Sequence, residues 1–175
     1  VGITLASPGG QARIAAVDRQ AGTITVATPA AELNPLLGRV VHITNPCRRV
    51  SLTVTAVTGD DRSATLTLDL DPCIGMGQSR GAADGRILTD THFPLRGCRY
   101  YHGARIASAD GAAEFPVEGI HSSHFILLDP DLGPIPAKDE LERAFPAGSW
   151  FSIYDYGVGD ALEWTHAASA DLTAR

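Results

Sequence analysis

Short runs of alternating apolar and polar residues, separated by turn-forming residues, recur along most of this chain. In "RIAAVDRQAGTITVAT" the apolar Ile24 and Val26 alternate with Thr23 and Thr25, and "SLTVTAVTGDDRSATLTLDLDP" repeats the pattern around a Gly-Asp-Asp turn. Because successive side chains of a strand point to opposite faces, a period of two predicts strands with one buried face. The sequence therefore predicts antiparallel hairpins near 13–28, 51–70 and 104–117, the last with an Asp-Gly turn.

Helix signals are few and short. Residues 28–38 offer a Thr cap and an early proline, but Pro35 ends any helix within two turns, and a single helix is predicted near 137–145. The glycine-rich stretch 73–86 is expected to be a long surface loop. Eighteen glycines, eleven prolines and many short strands together predict an all-β fold, an antiparallel β-sandwich or barrel of short hairpins with one or two short helices.

Length and charge limit the domain count and the partners. At 175 residues the chain is expected to form a single β-rich domain over 1–175, and because it opens on Val1 we expect a fragment of a longer chain. Residues 1–105 carry eleven basic and eight acidic residues, whereas residues 106–175 carry three basic and twelve acidic ones. This balance argues against nucleic acid and against a membrane surface as partners.

Five of the eleven aromatic residues lie in one stretch near the end, "SWFSIYDYGVGDALEW". On a strand, Trp150, Tyr154 and Tyr156 share one face, while Phe151 and Ile153 share the other. Phe and Ile are wholly apolar, whereas Trp and Tyr combine an apolar body with a polar tip that suits a half-wet surface. We expect Phe151 and Ile153 to face the core and the Trp/Tyr row to be partly exposed, covered by a partner domain or a sugar; the alternative is a strand buried on both faces.

A second polar and aromatic cluster lies in "HFPLRGCRYYHGARIAS", with Arg99, Tyr101 and His102 at its centre. A lyase acting on acidic sugars needs such residues, because a cation neutralises the carboxylate, a base removes a proton and a Tyr protonates the leaving oxygen. Nothing in the spacing enforces that arrangement, and the same residue types are common at sheet edges and interfaces. We therefore predict a ligand-binding role for these residues and no catalytic residue in the chain.

Metal and cofactor sites are not predicted. The three cysteines, Cys47, Cys73 and Cys98, form no CxxC pair and fit no zinc spacing. Their odd number allows one disulfide with a free thiol, or three buried thiols. His121 and His124 in "HSSHFILLDPD" are interpreted as loop histidines beside a buried strand rather than as metal ligands.

Two stretches, "THFPLRGCRYYHGARIAS" and "WFSIYDYGVGDALEW", resemble segments of the C-terminal all-β modules of bacterial polysaccharide-degrading proteins of the heparinase II/III-like and parallel β-helix lyase groups. The likeness covers about the last half of the chain. In such proteins the catalytic residues belong to a separate domain. The resemblance therefore implies a module without catalytic residues, packed on a catalytic domain of the same chain, and a secreted or periplasmic location.

These observations predict a non-catalytic accessory or structural β-module of a carbohydrate-active, polysaccharide lyase-like protein, which packs on a catalytic domain and contacts polysaccharide. Two alternatives stay open. One is a free-standing carbohydrate-binding module that uses the Trp/Tyr row, and the other is a small β-rich polysaccharide lyase that uses Tyr101, His102 and Arg99. The predicted ligand-binding residues are Trp150, Tyr154, Tyr156, Arg99, Tyr101 and His102.

Overall fold

The computed structural model describes residues 9–93, 100–121 and 125–165. β-Strands dominate this part of the chain, and they pair antiparallel. In chain order the strands are β1 (Gly10–Asp18), β2 (Thr23–Val26), β3 (Val40–Asn45), β4 (Arg48–Gly59), β5 (Ala64–Leu68), β6 (Cys73–Ala83), β7 (Arg86–Thr89), β8 (Arg105–Ser108), β9 (Glu114–His121), β10 (Phe125–Leu128), β11 (Trp150–Tyr154) and β12 (Ala161–Trp164). The predicted all-β fold is confirmed, in its barrel form.

The chain divides into two compact units. The first comprises 1–44, 49–71 and 158–175, and the second comprises 45–48 and 72–157. The prediction of one domain over the whole chain stays a prediction. Within the described residues, none of the helices has the length and apolar character needed to span a bilayer.

The first unit is a closed barrel with the strand order β1-β12-β3-β4-β5-β2. Its short helix α1 (Ala30–Leu33) runs into a 3-10 turn, Asn34–Leu36, as the early Pro35 predicts. Alternate strand residues point inward and are buried, including Ile14, Ile24, Val26, Val41, Ile43, Val54, Leu66 and Leu162. The closing strand β12 pairs with β1 on one side and β3 on the other.

The second unit is also a closed barrel, with the order β10-β7-β6-β11-β8-β9. Its helix α2 (Lys138–Ala144) falls where a helix is predicted, and Leu141 and Phe145 belong to the buried core of this barrel. When each barrel is numbered along its own strands, both rings have the order 1-2-5-4-3-6. The chain thus builds the same antiparallel topology twice.

All three predicted hairpins are confirmed. Strands β1 and β2 pair around a turn with Val17 opposite Ile24, β4 and β5 pair with Val57 opposite Leu66, and β8 pairs with β9. Hairpins form at these places because the turn residues reverse the chain where the apolar alternation pauses.

The loop expected over 73–86 is wrong, since this stretch forms the long strand β6 and the start of β7. The glycines in this stretch leave room for aromatic rings that pack against the strand. A Cβ on Gly77 would lie 2.5 Å from the ring of Phe151, and one on Gly75 would lie 3.3 Å from the ring of Phe93. The aromatic rings of the core therefore lie directly on bare backbone, and Gly81, with φ of 110°, occupies a bulge between β6 and β7.

Candidate functional site

One face of strand β11 is exposed to solvent, and the other is buried in the core. Phe151 and Ile153 are buried in the core of the second barrel, as predicted. On the other face Trp150 is 56% exposed and Tyr154 is half-buried. Tyr156, however, is only 1% exposed, which differs from the expected row of three surface rings. The strand ends at Tyr154, so the alternation that placed Tyr156 on the outer face no longer applies there.

The exposed ring of Trp150 has both apolar and polar neighbours. Its partner across the sheet is Gln78 on β6, and the exposed Met76 lies one step further along the same face, opposite Ser152. The Gln78 amide donates a hydrogen bond to the carbonyl of Gly148 at 2.8 Å. The amide is therefore held in place beside the indole, and the surface pairs a flat apolar ring with a positioned polar group.

A second group of side chains in the same unit is not apparent from the sequence. His102 Nε2 lies 2.8 Å from Asp129 Oδ2, and the thiol of Cys47 completes the group. One ligand-type atom of each side chain lies within 4.8 Å of those of the other two. We call these three residues the Cys-His-Asp cluster. Asp129 is buried, whereas the His102 side chain is 29% exposed, so solvent reaches the cluster from the imidazole side.

The three members come from three separate segments, two of which are tied together by the side chain of Asn45. The Asn45 carboxamide accepts the N–H of Cys47 at 3.0 Å and donates to the carbonyl of Gly103 at 2.9 Å, which ties the 45–48 turn to the loop carrying His102. Gly103 has φ of 80°, and a Cβ there would lie 2.6 Å from Asn45 Oδ1 and 3.2 Å from Cys47 Cβ. Only glycine allows this close approach.

The carboxylate of Asp129 is oriented by its own neighbourhood. Its backbone N–H donates to the carbonyl of Pro116 at 3.0 Å, and its Oδ1 accepts the N–H of Asp131 at 2.8 Å, which leaves Oδ2 for His102. Burial, followed by the negative charges of Asp129 and Asp131, raises the pKa of the Cys47 thiol. At neutral pH the thiol therefore keeps its proton, so the cluster by itself does not make an activated thiolate nucleophile.

The positively charged side chain nearest to Cys47 in the chain, Arg48, makes its contacts outside the cluster. Arg48, next to Cys47 in the chain, pairs with the carboxylate of Asp155 and donates to the carbonyl of Tyr100. Its guanidinium also lies 5.8 Å from the centre of the Tyr100 ring, within cation–π range. These contacts fix the 45–48 turn through its arginine and keep the positive charge of Arg48 paired with Asp155.

The structure does not bring the predicted site residues together at one place. Arg99, His124 and Cys98 lie outside the described residues. Tyr101 is 5% exposed, its ring packed edge-on against Tyr100 and Phe93. Of the predicted ligand-binding residues that the structure describes, His102 alone belongs to the Cys-His-Asp cluster, and the sequence analysis missed its partners, Cys47 and Asp129. No spacing rule finds them, because the members come from a hairpin turn, a loop and the end of β10.

Comparison with known proteins identifies no relative of this chain, so its site is interpreted from its residues. No protein-family model matches the chain, and neither the curated proteins nor the solved structures contain a match.

Proposed function

We propose that this chain is a non-catalytic, carbohydrate-contacting β-module of a carbohydrate-active protein, in which it packs on a catalytic domain. The observation that carries the proposal is the exposed ring of Trp150 on the outer face of β11, beside the held amide of Gln78. The resemblance of "WFSIYDYGVGDALEW" to modules of polysaccharide lyase-like proteins points to the same class of ligand.

An exposed Trp needs a physical reason, because its ring is the largest apolar surface a side chain offers. Trp150 is the first residue of β11 and lies on its outer face, whereas Phe151 and Ile153 on the inner face are buried in the core. A pyranose ring has an apolar face of similar size, and its hydroxyl groups need donors and acceptors at the rim. The indole of Trp150 supplies the first, and the amide of Gln78 supplies the second.

The lyase alternative gains no such support from the side chains described. Tyr101, the residue proposed to protonate a leaving group, packs its ring among Phe93 and Tyr100 in the barrel core. The pairing of His102 with Asp129 does not decide between the two interpretations, because a carboxylate also orients a histidine that acts as a base. The burial of Tyr101 is therefore the observation that favours binding over elimination chemistry at this part of the chain.

The test uses the two tryptophans of the chain, Trp150 exposed and Trp164 buried. The intact protein is titrated with a panel of neutral and uronate-containing polysaccharides while tryptophan fluorescence and its quenching by acrylamide are followed. We expect a binding glycan to shift the emission and to protect the protein from the quencher. Truncation of a central aromatic anchor costs 2 kcal/mol or more, so Trp150→Ala is expected to weaken binding at least about 30-fold; this variant, which lacks the exposed indole reporter, is compared with the parent by isothermal titration calorimetry.

The matched control is Val158→Ala, which removes an exposed apolar side chain elsewhere in the chain and is expected to leave binding unchanged. Equal loss in both variants, or binding that Trp150→Ala leaves intact, contradicts the assignment to Trp150. Absence of binding to every glycan overturns the proposal. The same mixtures, followed for the absorbance of an unsaturated sugar product, are expected to show no cleavage; turnover lost in His102→Ala would restore the lyase alternative.

A further inference from the structure

We propose that the Cys-His-Asp cluster is a binding site for one divalent cation of the zinc type, with Cys47, His102 and Asp129 as ligands and a fourth position open to water. The inference is independent of the glycan surface at Trp150. The sequence analysis predicted no metal site, because the chain has no CxxC pair, but a zinc site needs its ligands close in space rather than close in sequence.

The distances fit a tetrahedral ion. With Zn–S of about 2.3 Å and Zn–N or Zn–O of about 2.0–2.2 Å, neighbouring donors around zinc lie about 3.3–3.6 Å apart. The donor atoms of the cluster have separations in the same range. His102 Nε2 and Asp129 Oδ2 are 2.8 Å apart, and all three donor atoms lie within 4.8 Å of one another. The ion lies between His102 Nε2 and Asp129 Oδ2 and separates these two atoms by about half an ångström, while the neutral imidazole carries its proton on Nδ1.

The donor types select the kind of ion. A thiolate and an imidazole are ligands that Zn²⁺ and Co²⁺ prefer, whereas Mg²⁺ and Ca²⁺ prefer sites built of oxygen alone. A thiolate and a carboxylate carry two negative charges, which balance a divalent cation, and Asp131 adds negative potential nearby. The positive charge of Arg48 is paired with Asp155 and does not oppose the ion.

Hydrogen bonds around the cluster hold two of its three side chains in position, as is usual for the ligands of a metal site. Metal ligands are usually oriented by an outer set of hydrogen bonds, and loss of such a partner typically costs 10–100-fold in affinity. Here Asn45 holds Cys47 through its backbone, and the N–H of Asp131 holds the carboxylate of Asp129. The exposed edge of His102 leaves a path for the ion and for a water molecule in the fourth position.

Binding balances as an exchange of one cation for one proton. The Cys47 thiol loses its proton to the solvent, the sulfur donates an electron pair to the cation, and no electron is transferred to or from the protein. The ion then cross-links three segments, the 45–48 turn, the His102 loop and the end of β10, within one unit.

The experiment uses the full chain, freed of metal by a chelator and kept reduced, and titrates it with zinc chloride against a chromophoric indicator. We expect one Zn²⁺ per chain, and no competition from millimolar Mg²⁺ or Ca²⁺. With Co²⁺ we expect a thiolate-to-metal charge-transfer band in the near ultraviolet. Cys47→Ser is expected to abolish this band, and His102→Gln and Asp129→Asn are each expected to weaken Zn²⁺ binding by at least about 10-fold.

Matched controls are Cys73→Ser and His42→Gln. The Cys73 thiol donates to the carbonyl of Gly75, and the half-buried His42 ring contacts Ser51. Both variants are expected to bind Zn²⁺ as the parent does. Because a ligand variant can misfold, a second measurement uses the parent protein: Zn²⁺ is expected to slow alkylation of Cys47 by iodoacetamide, read by mass spectrometry, more than alkylation of Cys73. Absence of stoichiometric Zn²⁺ binding, a cobalt band that survives Cys47→Ser, or equal loss in the control variants overturns the proposal.

Discussion

The two faces of β11 differ in what they contribute to stability, and a pair of truncations measures the difference. Ile153 is fully buried in the second barrel, and Ile153→Ala removes three carbon atoms. At about 0.8 kcal/mol per buried carbon the lost transfer free energy is about 2.4 kcal/mol, and the cavity left behind brings the expected cost to about 3–4 kcal/mol. Trp150→Ala removes a much larger side chain, but one exposed to solvent, so its expected cost is below about 1 kcal/mol.

The assay is urea unfolding followed by far-ultraviolet circular dichroism, with the free energy of unfolding compared at equal m-value. If the two barrels unfold in separate transitions, the shift caused by Ile153→Ala is expected in the transition of the barrel that contains β11. A Trp150→Ala variant that loses as much stability as Ile153→Ala would refute the two-faced strand. It would also remove the basis for assigning Trp150 to a ligand, because the ring would then be part of the core.

Two further predictions concern packing and ionisation in the same barrel. Gly77→Ala places a methyl group 2.5 Å from the Phe151 ring and is expected to cost about 1–3 kcal/mol of stability by the same urea assay; Gly75→Ala, with its nearest contact at 3.3 Å, should cost less, and an equal cost would contradict the close-packing explanation. The Ser108 hydroxyl, followed by a backbone N–H, lowers the pKa of the exposed Asp110, so the folded state gains stability above the ordinary carboxyl pKa and loses it as the pH falls through the lowered value. Ser108→Ala is expected to raise the Asp110 pKa in a carboxyl NMR titration, and an unchanged pKa would show that the hydroxyl is not the main cause.

Local patterns predicted the hairpins because each depends on neighbouring residues alone. A period of two with a Gly or Asp turn between the runs is enough to pair β1 with β2 or β8 with β9. The same reasoning placed Phe151 and Ile153 in the core. It failed for Tyr156, because the end of β11 depends on contacts made by other strands, and it failed for β6, where glycines that resemble a loop make room for aromatic rings from a distant part of the chain.

The sequence by itself determined an antiparallel all-β chain with short helices, since alternation and turn chemistry act over a few residues. The closure of the described strands into two rings of the same order, and the meeting of Cys47, His102 and Asp129, were decided by the tertiary structure. Strand order and side-chain clusters depend on contacts between residues far apart in the chain. Such contacts form where packing free energy outweighs the entropy of closing long loops, and no local pattern records that balance.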